Sequence, residues 1–122
     1  MPTITPFYAG LLGLMSIALA FMAGRLRGSA KISIGDGGNT ELLLAMRRHA
    51  NFVEYVPLAL IEMRGAPALA IHLLGGGLLV ARASHAIGLD AESMQGAARA
   101  IGAVGTMLVT LVASVWAIVS FI

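Results

Sequence analysis

Four mainly apolar stretches, separated by short polar segments, form the pattern of this chain. Residues 1–24 and 100–122 carry no charge, and each is longer than the roughly 20 helical residues that cross about 30 Å of membrane hydrocarbon. Two shorter runs, residues 50–61 and 65–81, reach that length only if their charged ends continue as helix. The pattern predicts an all-α, integral membrane four-helix bundle. It forms a single domain over residues 1–122, with helices at about 6–24, 41–63, 66–88 and 99–122.

The composition supports a membrane protein. The chain is 58% hydrophobic and 11% charged, against about 25% charged in soluble proteins. Its net charge of +2 is too small to indicate a nucleic-acid partner. Cysteine is absent, so the chain has no disulfide, thiolate metal site or thiol nucleophile of its own, and no metal site is predicted. The first apolar run lacks a basic leader, so we expect it to stay as the first membrane helix.

The basic residues lie mostly on one side of the predicted membrane. By the positive-inside rule this side is cytoplasmic, with both termini outside. Of the eight basic residues, only Arg64 lies at the opposite face. The other seven are Arg25, Arg27, Lys31, Arg47, Arg48, Arg82 and Arg99. Because no other sorting signal is evident, we expect a bacterial inner membrane.

The predicted second helix carries polar groups that a bilayer tolerates only when they face protein or water. Arg47, Asn51 and Glu54 are spaced i, i+4 and i+7, which at about 100° per residue places them within an arc of roughly 60°. Arg48 and His49 point elsewhere. This stripe of a cation, an amide and an anion is the first candidate site.

Further polar residues are predicted at the same depth. Arg82 and His85 share a face near the end of the third helix, and Arg99 opens the fourth. Burying several arginines against one glutamate is unfavourable unless an anion joins them, so the pattern indicates an anionic ligand, such as a small peptide-like zwitterion with surplus carboxylate. The alternative is a polar network that holds helices together without a ligand.

The motif Arg47-x-His49-x-Asn51-x-x-Glu54-Tyr55-x-Pro57 resembles the signature of the MAPEG family, the membrane-associated proteins in eicosanoid and glutathione metabolism. The order of four helices, the basic first loop and the pair Arg82-x-x-His85 agree with it, so the resemblance covers nearly the whole chain. It implies a homotrimer with three glutathione sites between neighbouring subunits, near the cytoplasmic face.

The resemblance also implies roles for individual residues. Arg99 is the candidate for the family arginine that faces the glutathione sulfur, where a guanidinium favours the thiolate, which attacks an electrophile dissolved in the lipid. Leu89 stands where better-known members have a tyrosine, so part of the glutathione cradle differs. The residues expected to bind glutathione are Arg25, Arg27, Arg47, His49, Asn51, Glu54, Tyr55, Arg82 and His85.

The expected function is therefore that of a glutathione-dependent transferase or peroxidase acting on hydrophobic electrophiles, with membrane lipids and a hydrophobic small molecule as further partners. A non-enzymatic lipid-binding or lipid-presenting protein of the same fold is the alternative. A proton-coupled exporter is disfavoured, because the first helix has no acidic residue within the membrane.

Overall fold

The computed structural model describes residues 4–63, 65–89 and 96–120. Within these ranges all regular secondary structure is helical, without strands, which confirms the predicted all-α class. Arg64, residues 1–3 and 90–95, and the last two residues of the predicted fourth helix lie outside the described residues. The helices are α1 (Ile4–Ala30), α2 (Thr40–Glu62), α3 (Ala68–Gly88) and α4 (Ala97–Val119).

The first helix continues to Ala30, past the expected end at Gly24. A helix satisfies its own backbone hydrogen bonds, so glycine does not stop it here. It ends where Lys31 takes a left-handed φ of 55°. Arg27 then holds the following loop against the helix, because its Nη1 donates to the carbonyl oxygens of Ile32 (3.1 Å) and Gly35 (3.0 Å).

The second helix begins with a side-chain cap. Asn39 Oδ1 accepts a hydrogen bond of 3.0 Å from the backbone N–H of Leu42, which satisfies one of the free donors of the first turn. Glu41 in that turn suits the positive end of the helix dipole. Pro57 lies inside α2 without ending it. The stripe that begins at Arg47 therefore lies on one continuous helix.

The most extensive helix pair is α3 with α4, and glycine lets these two backbones approach closely. A Cβ placed on Gly102 would meet the backbone N–H of His85 and lie 2.6 Å from the carbonyl oxygen of Ala81. On the other side of the bundle, α1 packs against α2 and α3. The central core draws on all four helices, through Leu12, Leu19, Phe52, Val56, Ala59, Met63, Leu78 and Ala113.

Three helices of the described chain, α1, α3 and α4, are long and apolar enough to cross a membrane. The charged residues of its first half set α2 apart from them. Large apolar side chains such as Ile17, Leu73 and Leu111 are exposed on the outside of the bundle. Lipid covers such faces at no cost in a membrane, so the fold is that of a helical membrane protein.

Gly102→Ala is expected to lower the free energy of unfolding by about 1–3 kcal/mol, because the added methyl forces α3 and α4 apart. The matched control is Gly10→Ala, where an added Cβ meets nothing within 4 Å and helix propensity alone gives a gain of up to about 1 kcal/mol. Loss of helical circular dichroism during titration with a denaturing detergent measures both. Equal effects of the two substitutions would contradict the close approach of α3 and α4.

Candidate functional site

The site is centred on a buried arginine. Arg82 of α3 is 1% exposed. Its Nη2 donates to Asn51 Oδ1 on α2 at 2.8 Å, and its Nη1 donates to Thr106 Oγ1 on α4 at 3.4 Å. The guanidinium carbon also lies 5.8 Å from the centre of the Phe52 ring. One cation thus joins three helices through an amide, a hydroxyl and an aromatic ring.

The hydroxyl of Thr106 is held in place for this contact. It donates to the carbonyl oxygen of Gly102, one turn earlier, at 2.7 Å. Because its hydrogen is engaged there, its oxygen lone pairs face Arg82 as acceptors. Among the described residues no carboxylate forms an ion pair with Arg82, and its Nε has no hydrogen-bond partner. The guanidinium is therefore only partly satisfied within the protein.

Two cavities meet beside this group, and Asn51 and His85 line both. The smaller has a volume of about 60 Å³ and the larger about 270 Å³. The smaller is lined by Asn51, Tyr55, Arg82, His85, Ala103, Thr106 and Met107. The larger is lined by Thr40, Leu43, Leu44, Arg47, Asn51, His85, Leu89 and Arg99.

Helical periodicity explains why these residues converge. On α2, Arg47, Asn51 and Tyr55 are four residues apart and form one stripe along the cavities. Arg82 and His85 form the corresponding face of α3. The lining residues of α4 lie within its first three turns. The site therefore occupies the end of the bundle where α2 and α4 begin and α3 ends.

The larger cavity is cationic. Arg47 and Arg99 both line it, and none of its described lining residues is acidic. His85 is 6% exposed, and its Nδ1 is buried without a hydrogen-bond partner in the described part of the chain. Positive charge with unused hydrogen-bonding capacity suits an anionic, polar ligand.

Six of the predicted site residues line the two cavities, and four do not. Glu54 is exposed and lines neither cavity, although it follows Asn51 by one turn. His49 is half-buried on another face of α2. Arg25 is exposed on α1, and Arg27 is engaged with the loop after that helix. The six that line the cavities are Arg47, Asn51, Tyr55, Arg82, His85 and Arg99.

Sequence reasoning missed Thr106, which holds Arg82 from α4. A single threonine in an apolar helix gives little signal by itself. Its spacing could have revealed it, because Thr106 follows Arg99 by two helical turns and so shares its face.

Arg48 also has a role that its spacing did not predict. Its Nη2 donates to the carbonyl oxygen of Leu89 at 2.8 Å, which ties α2 to the end of α3.

The fold and site define a helical membrane protein with a cationic pocket at one end of its bundle. The chain matches the sequence model of the MAPEG family over residues 5–119 and belongs to that family, which confirms the resemblance seen in the helix-two motif.

Two bacterial relatives give the same measure of similarity. The chain is 38% identical over 90 residues to inner membrane protein YecN of Escherichia coli (strain K12). The alignment covers 70% of this chain and 69% of YecN. The same values hold for YecN of a second Escherichia coli strain, O6:H1. No solved structure matches the chain.

The bond between Arg82 and Asn51 can be measured by a double-mutant cycle. Asn51→Ala leaves a buried cation without its short acceptor, whereas in an Arg82→Met background the amide has no such partner. We expect a coupling free energy of about 1.5–3 kcal/mol, typical of a hydrogen bond to a charged group. The control cycle pairs Arg82→Met with Asn39→Ala, which removes only the α2 cap and should be additive. Additivity in both cycles would show that Asn51 does not hold Arg82.

Proposed function

We propose that this protein is a membrane-bound, glutathione-dependent transferase or peroxidase that acts on hydrophobic electrophiles. One observation carries the proposal: the guanidinium groups of Arg47, Arg82 and Arg99 lie around two adjoining cavities whose described lining residues include no carboxylate. An anion that enters from outside offsets this charge, and family membership makes glutathione the leading candidate.

The donors around the larger cavity suit glutathione chemically. Glutathione has two carboxylates, one ammonium and one thiol, so it carries net negative charge at neutral pH. Arg47 and Arg99 offer forked donors for the carboxylates. Asn51 has its oxygen engaged by Arg82, which leaves its NH₂ group as a donor towards the ligand. His85 Nδ1 adds a further polar contact.

A homotrimer would complete this site. The larger cavity, at about 270 Å³, is slightly below the roughly 300–1,000 Å³ typical of small-molecule sites. Glu54 and Tyr55 are exposed beside it on α2. In the proposed trimer these side chains face a neighbouring subunit, so that Glu54 binds the ligand ammonium and Arg25 of a neighbour approaches a carboxylate. The site then lies between subunits.

The proposed reaction is nucleophilic substitution by the glutathione sulfur. Arg99 stabilises the thiolate, and the thiol proton passes to water. The sulfur then forms a bond to the electrophilic carbon while the leaving group departs with its bonding electrons. Ala103 and Met107 of the smaller cavity provide an apolar wall beside the exposed Tyr55, where an electrophile dissolved in lipid reaches the sulfur from the side.

The same apolar wall favours a second candidate, a lipid-binding or lipid-presenting protein in which no thiolate forms.

We further propose that the protein lies in a bacterial inner membrane, with its arginine-rich end in the cytoplasm. The name of the Escherichia coli relative supports this location.

Arg47→Gln is expected to weaken glutathione binding at least tenfold, because a hydrogen-bonded charge contact contributes about 1.5–3 kcal/mol. Calorimetric titration of the purified protein in neutral detergent measures this affinity. Lys31→Gln also removes one positive charge from this end of the bundle, but Lys31 lies outside both cavities. The glutathione affinity of this variant should therefore stay within twofold of that of the parent protein. Equal losses would indicate a general electrostatic effect, and no binding by the parent protein would favour the lipid-presenting alternative.

Arg99→Gln is expected to leave glutathione bound but to remove the ultraviolet absorbance of its thiolate. Conjugation of an aryl halide should slow about 100-fold, as when one preorganised charge stabiliser is lost from an active site. The parent protein and Lys31→Gln serve as controls for absorbance and rate. If Arg99→Gln retains both thiolate and turnover, another group meets the sulfur.

A further inference from the structure

A second basic surface lies beside the end of α1, apart from the two cavities. It is an open groove of about 380 Å³ that includes two glycines of the last turns of α1 and the first residues of the following loop. It shares no residue with either cavity of the candidate site. Its lining residues are Gly24, Arg27, Gly28, Lys31, Ile32 and Ser33.

One cation of the groove is held rigidly. Arg27 Nη1 donates to two loop carbonyl oxygens, and its Nη2 lies 3.3 Å from the sulfur of Met46 on α2. These contacts fix the guanidinium before any ligand arrives, which lowers the entropy lost on binding. Lys31, the first residue after α1, is exposed and adds a second cation.

The length of α1 allows this groove to lie at the membrane surface. A helix of 27 residues is about 40 Å long at 1.5 Å per residue, and the hydrocarbon layer is about 30 Å thick. The excess of roughly 10 Å corresponds to about seven residues. If α1 enters the hydrocarbon near Ile4, its part from Gly24 to Ala30 lies among the lipid headgroups.

The glycines leave space along the groove. Gly24 and Gly28 are one turn apart and exposed, and a Cβ added to either would meet nothing within 4 Å. The glycerol backbone of a lipid can therefore lie directly against the helix, with its headgroup near Arg27 and Lys31. None of the lining residues is acidic, so negative charge is not repelled there.

We propose that this groove binds the headgroup phosphate of an anionic phospholipid, with Arg27 and Lys31 as the cationic contacts and Ser33 as a hydroxyl donor. A zwitterionic phosphatidylcholine carries a quaternary ammonium that these cations repel. We therefore expect roughly 25-fold tighter binding of phosphatidylglycerol, since each of the two basic residues contributes about a factor of five near an anionic headgroup.

Native mass spectrometry of the full chain in neutral detergent tests this, with phosphatidylglycerol and phosphatidylcholine of identical acyl chains as probes. Gly28→Leu fills the groove without changing charge, and Lys31→Gln removes one cation; each should weaken phosphatidylglycerol binding at least fivefold. The controls are Gly10→Leu, another open position on α1, and Arg25→Gln, a charge loss on α1 outside the groove. Both should stay within twofold. Circular dichroism verifies that each variant folds. The two test variants are independent, because Gly28→Leu changes the space in the groove and Lys31→Gln changes its charge.

Three results would overturn the proposal. Equal weakening by Arg25→Gln and Lys31→Gln would mean that the attraction is diffuse. Competition by glycerol phosphate at concentrations near those of the lipid would mean that the groove takes a soluble anion. Displacement of phosphatidylglycerol by glutathione would assign Arg27 to the glutathione site, as its sequence position first indicated.

Discussion

The burial of one guanidinium constrains the arrangement of α2, α3 and α4. A cation removed from water must keep hydrogen-bond partners, because its desolvation is otherwise very unfavourable. Arg82 finds them on two different helices, Asn51 on α2 and Thr106 on α4. Both helices must therefore present a particular face to α3. Because Gly102 has no side chain, α4 can approach α3 as closely as this requires. The backbone carbonyl oxygen of Gly102 also orients the Thr106 hydroxyl. Packing and polar contacts thus specify the same geometry.

This geometry also sets the character of the site. The face that brings Asn51 to Arg82 carries Arg47 one turn towards the start of α2 and Tyr55 one turn further into the helix. One end of the combined cavity is therefore cationic, and the other is bordered by Ala103 and Met107. In the proposed reaction, the polar and the apolar reactant meet where these environments join. The shared lining residues Asn51 and His85 mark that boundary.

Periodicity within single helices predicted much of this arrangement, including the four helices, the Arg47 and Asn51 stripe and the Arg82 and His85 pair. It could not predict which neighbour each stripe faces. Spacing places Thr106 on the same face as Arg99, but its contact with Arg82 depends on how α4 packs against α3, and for this reason it was missed. Glu54 shares the stripe of Asn51 yet is exposed in the single chain. The stripe spans an arc of about 60°, so one of its sides can pack against a neighbouring helix while the other is exposed. The end of α1 was placed too early because the uncharged run ends at Gly24, whereas the helix continues past Arg25 and Arg27 to Ala30.

Most arginines of the described chain lie at one end of the bundle, and this clustering does not distinguish those that hold the fold from those that line a cavity. Hydrogen bonding separates them. Arg27 and Arg48 donate to backbone carbonyl oxygens of nearby connections, so part of their donor capacity stabilises the fold. Arg47 and Arg99 line the larger cavity, and within the described chain neither donates a hydrogen bond to a protein group. Because a guanidinium has five N–H donors, these two keep donor capacity for an anion in the cavity that they line. Arginines at the same end of the bundle thus include some that stabilise connections and others that line the cavity, depending on whether a carbonyl oxygen lies within reach.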